Sequence, residues 1–202
     1  MFNFLFYSML YIFDLDYTLL DCVKLKSYLA EILGVKEEIY NDTYKSYFTD
    51  KGELYSFFKH GDLLNADAKM KTDFIVSAAR EKIKSRLDKY LFPEAEIVLK
   101  KLKSNGHKLL LLTYGDIKWQ KYKVENLGIK KYFDNIAYTD QKKGKFDFRH
   151  IKEDDVIIVN DNARECVEMS KHFPNARILL VEGPYSNNAE HDFEARALEE
   201  LR

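Results

Sequence analysis

The chain has 202 residues, of which 46% are hydrophobic, and its 32 basic and 33 acidic residues give a formal net charge of −1. This length and apolar content are sufficient for one large domain, or for a domain with an insertion. The charges nearly cancel and the basic residues are spread along the chain. The sequence therefore does not indicate a strong electrostatic field that would attract nucleic acid or a membrane surface, and we expect neither as a partner. We expect a cytoplasmic protein with two reduced cysteines, since Cys22 and Cys166 match no metal spacing and no apolar segment is long enough to span a membrane.

The first predicted element is a buried strand over residues 9–13, whose apolar and aromatic side chains run directly into Asp14 and Asp16. Burial of a carboxylate is costly unless it is paired or bound to a cation. Alternation along an extended strand places both side chains on one face, where their repulsion raises one pKa. A polar turn in solvent would account for the same residues, so the pair alone leaves both interpretations open.

Residues 22–91 contain no strongly apolar strand-like run and show apolar residues at helical spacing instead. We predict four or five short helices, the first of which ends at Gly34. These helices would form a subdomain inserted between two parts of an α/β core, residues 1–21 and 92–202. We expect the many aromatic side chains of the insert mainly to fill its own core. The apolar patches after the first helix are Tyr44, Tyr47 and Phe48, then Leu54, Phe57 and Phe58, then Phe74, Ile75, Ala78, Ala79 and Ile83.

From Pro93 onward, apolar strands alternate with amphipathic helices, which indicates an α/β domain with a mostly parallel sheet. Ligands of such sheets bind beyond the carboxyl ends of the strands. Asp14, Asp16, Thr113 and Asp161 each follow a predicted strand, so we expect them at one edge. We predict strands at residues 108–113, 133–138, 155–160 and 177–182, helices at 93–104, 117–127 and 163–173, and a helical tail at 189–202.

These polar residues suit phosphoryl chemistry around Mg²⁺. This ion takes one or two carboxylates together with waters and a substrate phosphate, and Asp161 offers a further oxygen beside the acidic pair. Asp14 could then attack a phosphoryl group, and Asp16 could protonate the leaving oxygen and later take a proton from water. The Thr113 hydroxyl could donate a hydrogen bond to a phosphoryl oxygen.

A lysine of the loop after the third predicted strand could hold both Asp14 and a phosphoryl group by its charge. The loop offers three, Lys142, Lys143 and Lys145, and the sequence does not choose among them. Glu165 follows Asp161 by four residues, at the start of a predicted helix. It is either a metal-site residue or a first-turn acid favoured by the helix dipole.

The ordered set of motifs from residue 10 to about 170 resembles the haloacid dehalogenase-like hydrolase superfamily. Asp14-Leu15-Asp16-Tyr17-Thr18 resembles its first motif, Asp-x-Asp-x-Thr after an apolar strand. The later matches are Thr113 in Leu-Leu-Leu-Thr-Tyr-Gly-Asp, Gln120, Lys123, Leu127-Gly128, Tyr132-Phe133-Asp134, a lysine among residues 142–145, and Val159-Asn160-Asp161 with Glu165. The chain departs from the usual motif sequences at four positions. Tyr17 and Asn160 stand where glycine is common, Tyr114 where asparagine is common, and Glu165 where aspartate is common.

The resemblance implies a Rossmann-like three-layer core with a parallel sheet and an α-helical cap inserted after the first motif. It implies a Mg²⁺-dependent phosphatase that acts on a small phosphorylated metabolite through an aspartyl-phosphate on Asp14, with Asp16 as general acid and base. The carboxylate at position 16 favours phosphate chemistry, because dehalogenases of the superfamily lack it. The implied site residues are Thr113, Tyr114 and Gly115 for substrate, Lys143 or Lys145 for charge, and Asp14, Asp161 and the backbone carbonyl of Asp16 for the metal.

Two alternatives remain open at the level of sequence. A phosphomutase built from the same parts would return the phosphoryl group from Asp14 to a bound sugar. A non-catalytic protein would use the acidic cluster, Thr113 and a lysine to bind a phosphoryl group, or would act as a scaffold. The oligomeric state and the identity of the substrate do not follow from the sequence.

Overall fold

The computed structural model describes residues 8–67 and 75–201. Within them, six strands form one parallel sheet in the order β3-β2-β1-β4-β5-β6. The strands are β1 (Leu10–Phe13), β2 (Lys108–Tyr114), β3 (Asn135–Thr139), β4 (Val156–Asn160), β5 (Arg177–Val181) and β6 (Ala195–Arg196). The α-helices are α1 (Cys22–Leu33), α2 (Glu37–Tyr47), α3 (Phe57–Ala66), α4 (Val76–Lys84), α5 (Ala95–Ser104), α6 (Ile117–Glu125) and α7 (Ala163–Ser170).

The central strand β1 is buried on both faces, as its uninterrupted apolar sequence predicts. Tyr11 and Phe13 pack on the side of α5, α6 and the helices of residues 22–91, whereas Leu10 and Ile12 pack on the side of α7. Helices therefore cover both faces of the sheet and make three layers. This arrangement confirms the predicted Rossmann-like α/β fold.

Side-chain caps fix the helices that begin at the carboxyl edge of the sheet. The Asp21 carboxylate accepts from the Lys24 backbone N–H at 3.1 Å at the start of α1. The Asp116 carboxylate accepts from the Trp119 N–H at 2.8 Å at the start of α6. Each cap satisfies one backbone donor that the first helical turn leaves free. Gly34 ends α1 in the left-handed conformation with φ of 71°.

Residues 22–91 contain α1 to α4 and two short 3-10 turns, Thr49–Lys51 and Leu87–Tyr90, in their described part. The predicted patch residue Phe74 and residues 1–7 of the predicted core lie outside the described residues. Among the aromatic side chains of the insert, Tyr40, Phe48 and Phe57 are fully buried. No described helix combines the length and the apolar character needed to cross a membrane.

The prediction of a helical tail is wrong. Residues 189–194 are irregular, β6 pairs with β5, and only a 3-10 turn, Leu198–Leu201, follows. The Glu182 N–H donates to the Arg196 carbonyl at 3.1 Å. The open edge of β5 offers unpaired backbone groups, and pairing with them outweighs a weak local preference for helix. The strand predicted at residues 133–138 begins two residues later, at Asn135, because Tyr132 still lies in a 3-10 turn.

Candidate active site

The carboxyl ends of β1, β2 and β4 bring three predicted site residues to one edge of the sheet. Phe13 is in register with Leu111 and with Val159, so the residues that follow these strands are level. Asp14, Thr113 and Asp161 are 8%, 1% and 2% exposed. Three polar side chains buried together require partners, and those partners define the chemistry of the edge.

Lys143 is the lysine that reaches this edge. Its Nζ lies 2.6 Å from Asp14 Oδ1 and 2.7 Å from Glu165 Oε2. Asn160 Nδ2 donates to the same Glu165 oxygen at 3.0 Å. Burial acts to lower the pKa of Lys143, but the charges of Asp14 and Glu165 outweigh it and raise that pKa overall. Lys143 is therefore a fixed positive charge beside Asp14.

Lys142 and Lys145 do not join the cluster. Both are exposed, and Lys145 lines an open depression of about 780 Å³ formed with residues 146–149, 151–154 and 172–175. Lys143 and Lys145 belong to one 3-10 turn. Such a turn has three residues per revolution, so side chains two positions apart point in different directions. The structure thus brings Lys143 to the site and leaves Lys145, the other predicted lysine, outside it.

The cluster of Asp14, Asp161 and Glu165 contains more acid than Lys143 can neutralise. Burial, followed by the charge of Asp14, raises the pKa of Asp161 to about 8. Burial also raises the pKa of Asp14, and Lys143 acts in the opposite direction. The carboxylates of Glu165 and Asp16 partly offset the effect of Lys143, so the pKa of Asp14 is raised to about 6. The Oδ2 atom of Asp161 is buried and receives no hydrogen bond within the described chain.

These properties fit a hard divalent cation. An unpartnered buried carboxylate oxygen next to a second carboxylate is the donor set that Mg²⁺ uses with its remaining waters and a substrate phosphate. In the described residues, no three His, Cys, Asp or Glu side chains cluster as a metal cage. The fit is therefore to an ion that needs few protein ligands, with Asp14 and Asp161 as the carboxylates.

Thr18 positions Asp161, a role that the sequence did not reveal. Its fully buried hydroxyl accepts from the Asp161 backbone N–H at 3.0 Å and lies 3.4 Å from Asp161 Oδ1. The only signal in the sequence was the place of Thr18 in the first motif. The preceding Tyr17 has φ of 62°, which explains why glycine is common at this position of the motif.

Asp16 points to partners other than those of Asp14. Lys123 Nζ bonds both of its oxygens, with 2.6 Å to Oδ2, and Gln120 Nε2 donates to Oδ2 at 2.9 Å. The Cys22 Sγ lies 3.3 Å from Oδ1. Burial acts to raise the pKa of Asp16, but the charge of Lys123 and the hydrogen bonds lower it overall. The sequence indicated Lys123 and Gln120 only as matches to the motif region of the family that the chain resembles.

Thr113 is linked to the same network. Its hydroxyl donates to Gln120 Oε1 at 3.0 Å, while Gln120 Nε2 also donates to the Tyr114 carbonyl at 3.0 Å. Gly115 has φ of +149°, and a Cβ there would lie 2.6 Å from Gln120 Nε2. Gln120 hydrogen-bonds both Thr113 and Asp16. A side chain at position 115 would therefore displace the residue that links them.

A cavity of about 240 Å³ opens directly beside Asp16. Tyr114 and Gly115, both predicted for substrate binding, line it at the sheet edge, and the insert supplies the facing wall. The cavity is lined by Asp16, Tyr17, Cys22, Leu25, Lys26, Leu29, Tyr40, Tyr44, Glu53, Leu54, Tyr55, Tyr114, Gly115, Trp119, Gln120 and Lys123. A small molecule bound here would contact both the insert and Asp16.

Solved structures similar to this chain share its fold at low sequence identity. A provisionally assigned haloacid dehalogenase-like hydrolase from Burkholderia xenovorans LB400 has a TM-score of 0.68 at 17% identity, covering 89% of this chain and 84% of its own. The L-2-haloacid dehalogenase from Xanthobacter autotrophicus has a TM-score of 0.62 at 18% identity, with 96% of each chain covered. A provisionally assigned beta-phosphoglucomutase from Thermotoga maritima has a TM-score of 0.58 at 16% identity, also with 96% of each chain covered.

These structures have different activities in their names, so they support the fold and not a particular reaction. A search of the curated proteins found no match. The family model described as a haloacid dehalogenase-like hydrolase matches residues 9–170, which include Asp14, Thr113, Lys143 and Asp161. With this match over most of its length, and with those residues gathered at one edge of a parallel sheet, the chain belongs to the haloacid dehalogenase-like hydrolases.

Proposed function

We propose that this hydrolase is a Mg²⁺-dependent phosphatase that cleaves a small phosphate monoester through a phosphorylated Asp14. The observation that carries the proposal is the buried acidic cluster, in which Asp14 is paired with Lys143 while Asp161 Oδ2 has no hydrogen-bond partner in the described chain. A dianionic phosphate could not approach so much negative charge unless a cation were also bound. The carboxylate at position 16 adds a proton carrier for ester cleavage.

In the first half of the reaction, a carboxylate oxygen of Asp14 attacks phosphorus and forms a new O–P bond. The P–O bond to the leaving alcohol breaks, and Asp16 supplies the proton that this oxygen needs. Lys143 keeps Asp14 ionised and stabilises the charge on the phosphoryl oxygens. Thr113 would turn its hydroxyl from Gln120 Oε1 to a phosphoryl oxygen.

In the second half, the carboxylate of Asp16 takes a proton from water, and the water oxygen attacks phosphorus. Phosphate leaves and Asp14 is regenerated. The contacts of Asp16 with Lys123 and Gln120 hold it as a carboxylate, which is the form that this step requires. For the first half, Asp16 must loosen its ion pair with Lys123 and acquire a proton.

Asp14, Asp161 and the backbone carbonyl of Asp16 would hold Mg²⁺. The ion would neutralise the acidic cluster and the phosphoryl oxygens when bound. Thr18 keeps Asp161 in place for this purpose through the backbone contact at 3.0 Å. Glu165 shares its Oε2 between Lys143 and Asn160, so it would act by orienting Lys143.

The helical insert, residues 22–91, would serve as a cap. Helices α1 and α2 contribute Leu25, Tyr40 and Tyr44 to the wall of the cavity facing Asp16. A wall built by a separate set of helices can change its fit with the bound molecule and exclude bulk water. On this proposal the cap selects the leaving group, and the sheet edge performs the chemistry.

The test is release of inorganic phosphate from a panel of phosphorylated metabolites, with Mg²⁺ and with EDTA. We expect turnover that requires Mg²⁺ and falls at least about a thousandfold in Asp14→Asn, which keeps the shape of the side chain and removes the nucleophile. Unchanged activity in Asp14→Asn would refute the proposal. Turnover only with a sugar bisphosphate present would indicate a phosphomutase, and binding without turnover would indicate a non-catalytic phosphoryl-binding protein.

A further inference from the structure

The cavity beside Asp16 has an aromatic wall. Besides three leucines and Cys22, its lining includes six aromatic side chains: Tyr17, Tyr40, Tyr44, Tyr55, Tyr114 and Trp119. Aromatic faces and edges favour a planar ring over a flexible polyol chain, since ring pairs gain dispersion and quadrupole attraction beyond simple burial. The volume of about 240 Å³ lies below the range of about 300–1,000 Å³ found for drug-sized ligands, so a one-ring group fits better than a nucleotide or a peptide.

The same cavity contains one cation without an acidic partner in the described chain. Four charged side chains line it. Asp16 and Lys123 pair with each other, and Glu53 pairs with Lys59. Lys26 remains: its ammonium lies 5.1 Å from the centroid of the Tyr44 ring and 5.7 Å from that of Tyr17.

Lys26 is half-buried among these rings. A partly desolvated ammonium gains more from an anion than an exposed one does, because solvent and salt screen it less. Its contacts with Tyr17 and Tyr44 also hold the ammonium beside two of the aromatic rings that line the cavity. An anionic substituent on that ring would complete the pairing of charges in the cavity.

Resting on the proposed phosphatase activity, we propose that this cavity binds the leaving group, and that the preferred substrate is the phosphate ester of a small aromatic alcohol bearing a carboxylate or similar anion. The ring packs among Tyr17, Tyr44 and Tyr55, and the anion pairs with Lys26. The ester oxygen then faces Asp16. This pairing would make Lys26 a specificity-determining residue.

Binding can be tested without turnover, because Trp119 lines the cavity and is the single tryptophan of the chain. Its fluorescence would be titrated with 4-hydroxybenzoate and with 4-hydroxybenzamide, which share size and ring but differ in charge. We expect the wild type to bind the benzoate about tenfold more tightly, and Lys26→Met to bind the two compounds equally. Lys45→Met, which removes an exposed charge from α2, is the matched control and should keep the wild-type ratio.

Turnover separates this inference from the proposed function. With Mg²⁺, kcat/KM would be compared for 4-carboxyphenyl phosphate, 4-carbamoylphenyl phosphate and phenyl phosphate. Hydrolysis of phenyl phosphate with no preference for the carboxylate, in turnover or binding, would overturn the inference and leave the phosphatase standing. Discrimination in binding without any hydrolysis would refute the phosphatase and retain the anion-binding cavity.

The comparison does not depend on one variant. The pair of ligands tests the wild-type protein directly, and Lys26→Gln provides a second neutral side chain of similar length if Lys26→Met fails to fold by circular dichroism. Retention of the wild-type ratio in a folded Lys26 variant would also overturn the assignment of Lys26. In that case its contacts with Tyr17 and Tyr44 would be purely structural.

Discussion

The hydroxyl of Thr18 lies 3.0 Å from the backbone nitrogen of Asp161 and joins the loop after β1 to the loop after β4. Thr18→Val keeps the shape of the side chain and removes this acceptor, so a buried N–H loses its partner. We expect the free energy of unfolding in urea to fall by about 1–3 kcal/mol. Thr18→Ser keeps the hydroxyl, so its free energy of unfolding should fall clearly less. An equal fall in the two variants would indicate packing as the cause.

Gly183 leaves room for the carboxylate of Asp161. A Cβ at Gly183 would lie 3.0 Å from Asp161 Cβ and 3.2 Å from its Oδ2, so Gly183→Ala should push this oxygen from its position. We expect about a tenfold or greater loss of Mg²⁺ affinity by isothermal titration calorimetry, comparable to changes in residues that orient metal ligands. The control is Gly128→Ala, whose Cβ would meet only ordinary contacts with Asp88 from 3.5 Å. Equal affinities in both variants and the wild type would contradict this prediction.

Metal-free protein should lose stability as the pH rises. Asp14 and Asp161 have pKa values of about 6 and about 8 when folded, above the usual 3.8 of a free carboxyl. The folded state therefore binds protons that the unfolded state has released, and the free energy of unfolding falls as the pH increases through 6 and 8. The measurement is urea unfolding in EDTA between pH 5 and pH 9, values chosen to span roughly this window.

Two comparisons identify the source of that slope. Asp161→Asn cannot ionise, so its stability should decline less at high pH than that of the wild type. Mg²⁺ should restore more stability to the wild type at high pH than at low pH, because carboxylates must lose their protons to bind the ion. A slope that is the same in Asp161→Asn would assign it to other groups.

His60 should produce the opposite dependence at acid pH. Burial lowers its pKa from 6.5 to about 4, and its Nδ1 is buried without a hydrogen-bond partner in the described chain. The Thr43 hydroxyl lies 2.8 Å from Nε2 and donates to the Ile39 carbonyl, so Nε2 carries the proton of the neutral ring. A second proton on Nδ1 would find no acceptor among the described residues.

Because the unfolded chain takes up this proton below pH 6.5 and the folded chain only near pH 4, stability should fall as the pH decreases between these values. The loss attributable to His60 is at most about 3 kcal/mol. His60→Gln keeps a donor for Thr43 and should flatten the acid side of the curve. His150→Gln, at an exposed position, should leave it unchanged; a flattened curve in both variants would contradict the assignment.

Lys123 should set the acid limb of the pH–rate profile. Its ammonium lowers the pKa of Asp16, so Lys123→Met should raise that pKa. In the proposed mechanism Asp16 activates water as a carboxylate. It would then be protonated at a higher pH, and the acid limb of kcat should move to higher pH. Lys123→Arg keeps the charge and should shift the limb less. A profile that only drops in height, without moving, would show that Lys123 acts on position or stability alone.

The sequence determined the fold class because its strands are apolar without interruption and alternate with helices of clear amphipathic spacing. Burial of β1, β2 and β4 on both faces follows from that pattern. The same pattern predicted Asp14, Asp16, Thr113 and Asp161 at one edge, since parallel strands share their carboxyl ends. The structure of the tail could not be predicted from the sequence, because β6 forms only where the edge of β5 is available.

What the tertiary structure decided was the pairing of charges. Sequence offered three lysines of one loop, and only the turn geometry buries Lys143 against Asp14 and leaves Lys145 exposed. Nor could strand alternation reveal that Asp16 pairs with Lys123, which lies 107 residues further along the chain. Local patterns specify which faces are apolar, whereas the partner of a buried charge depends on which distant side chain the packed helices bring within a few ångströms.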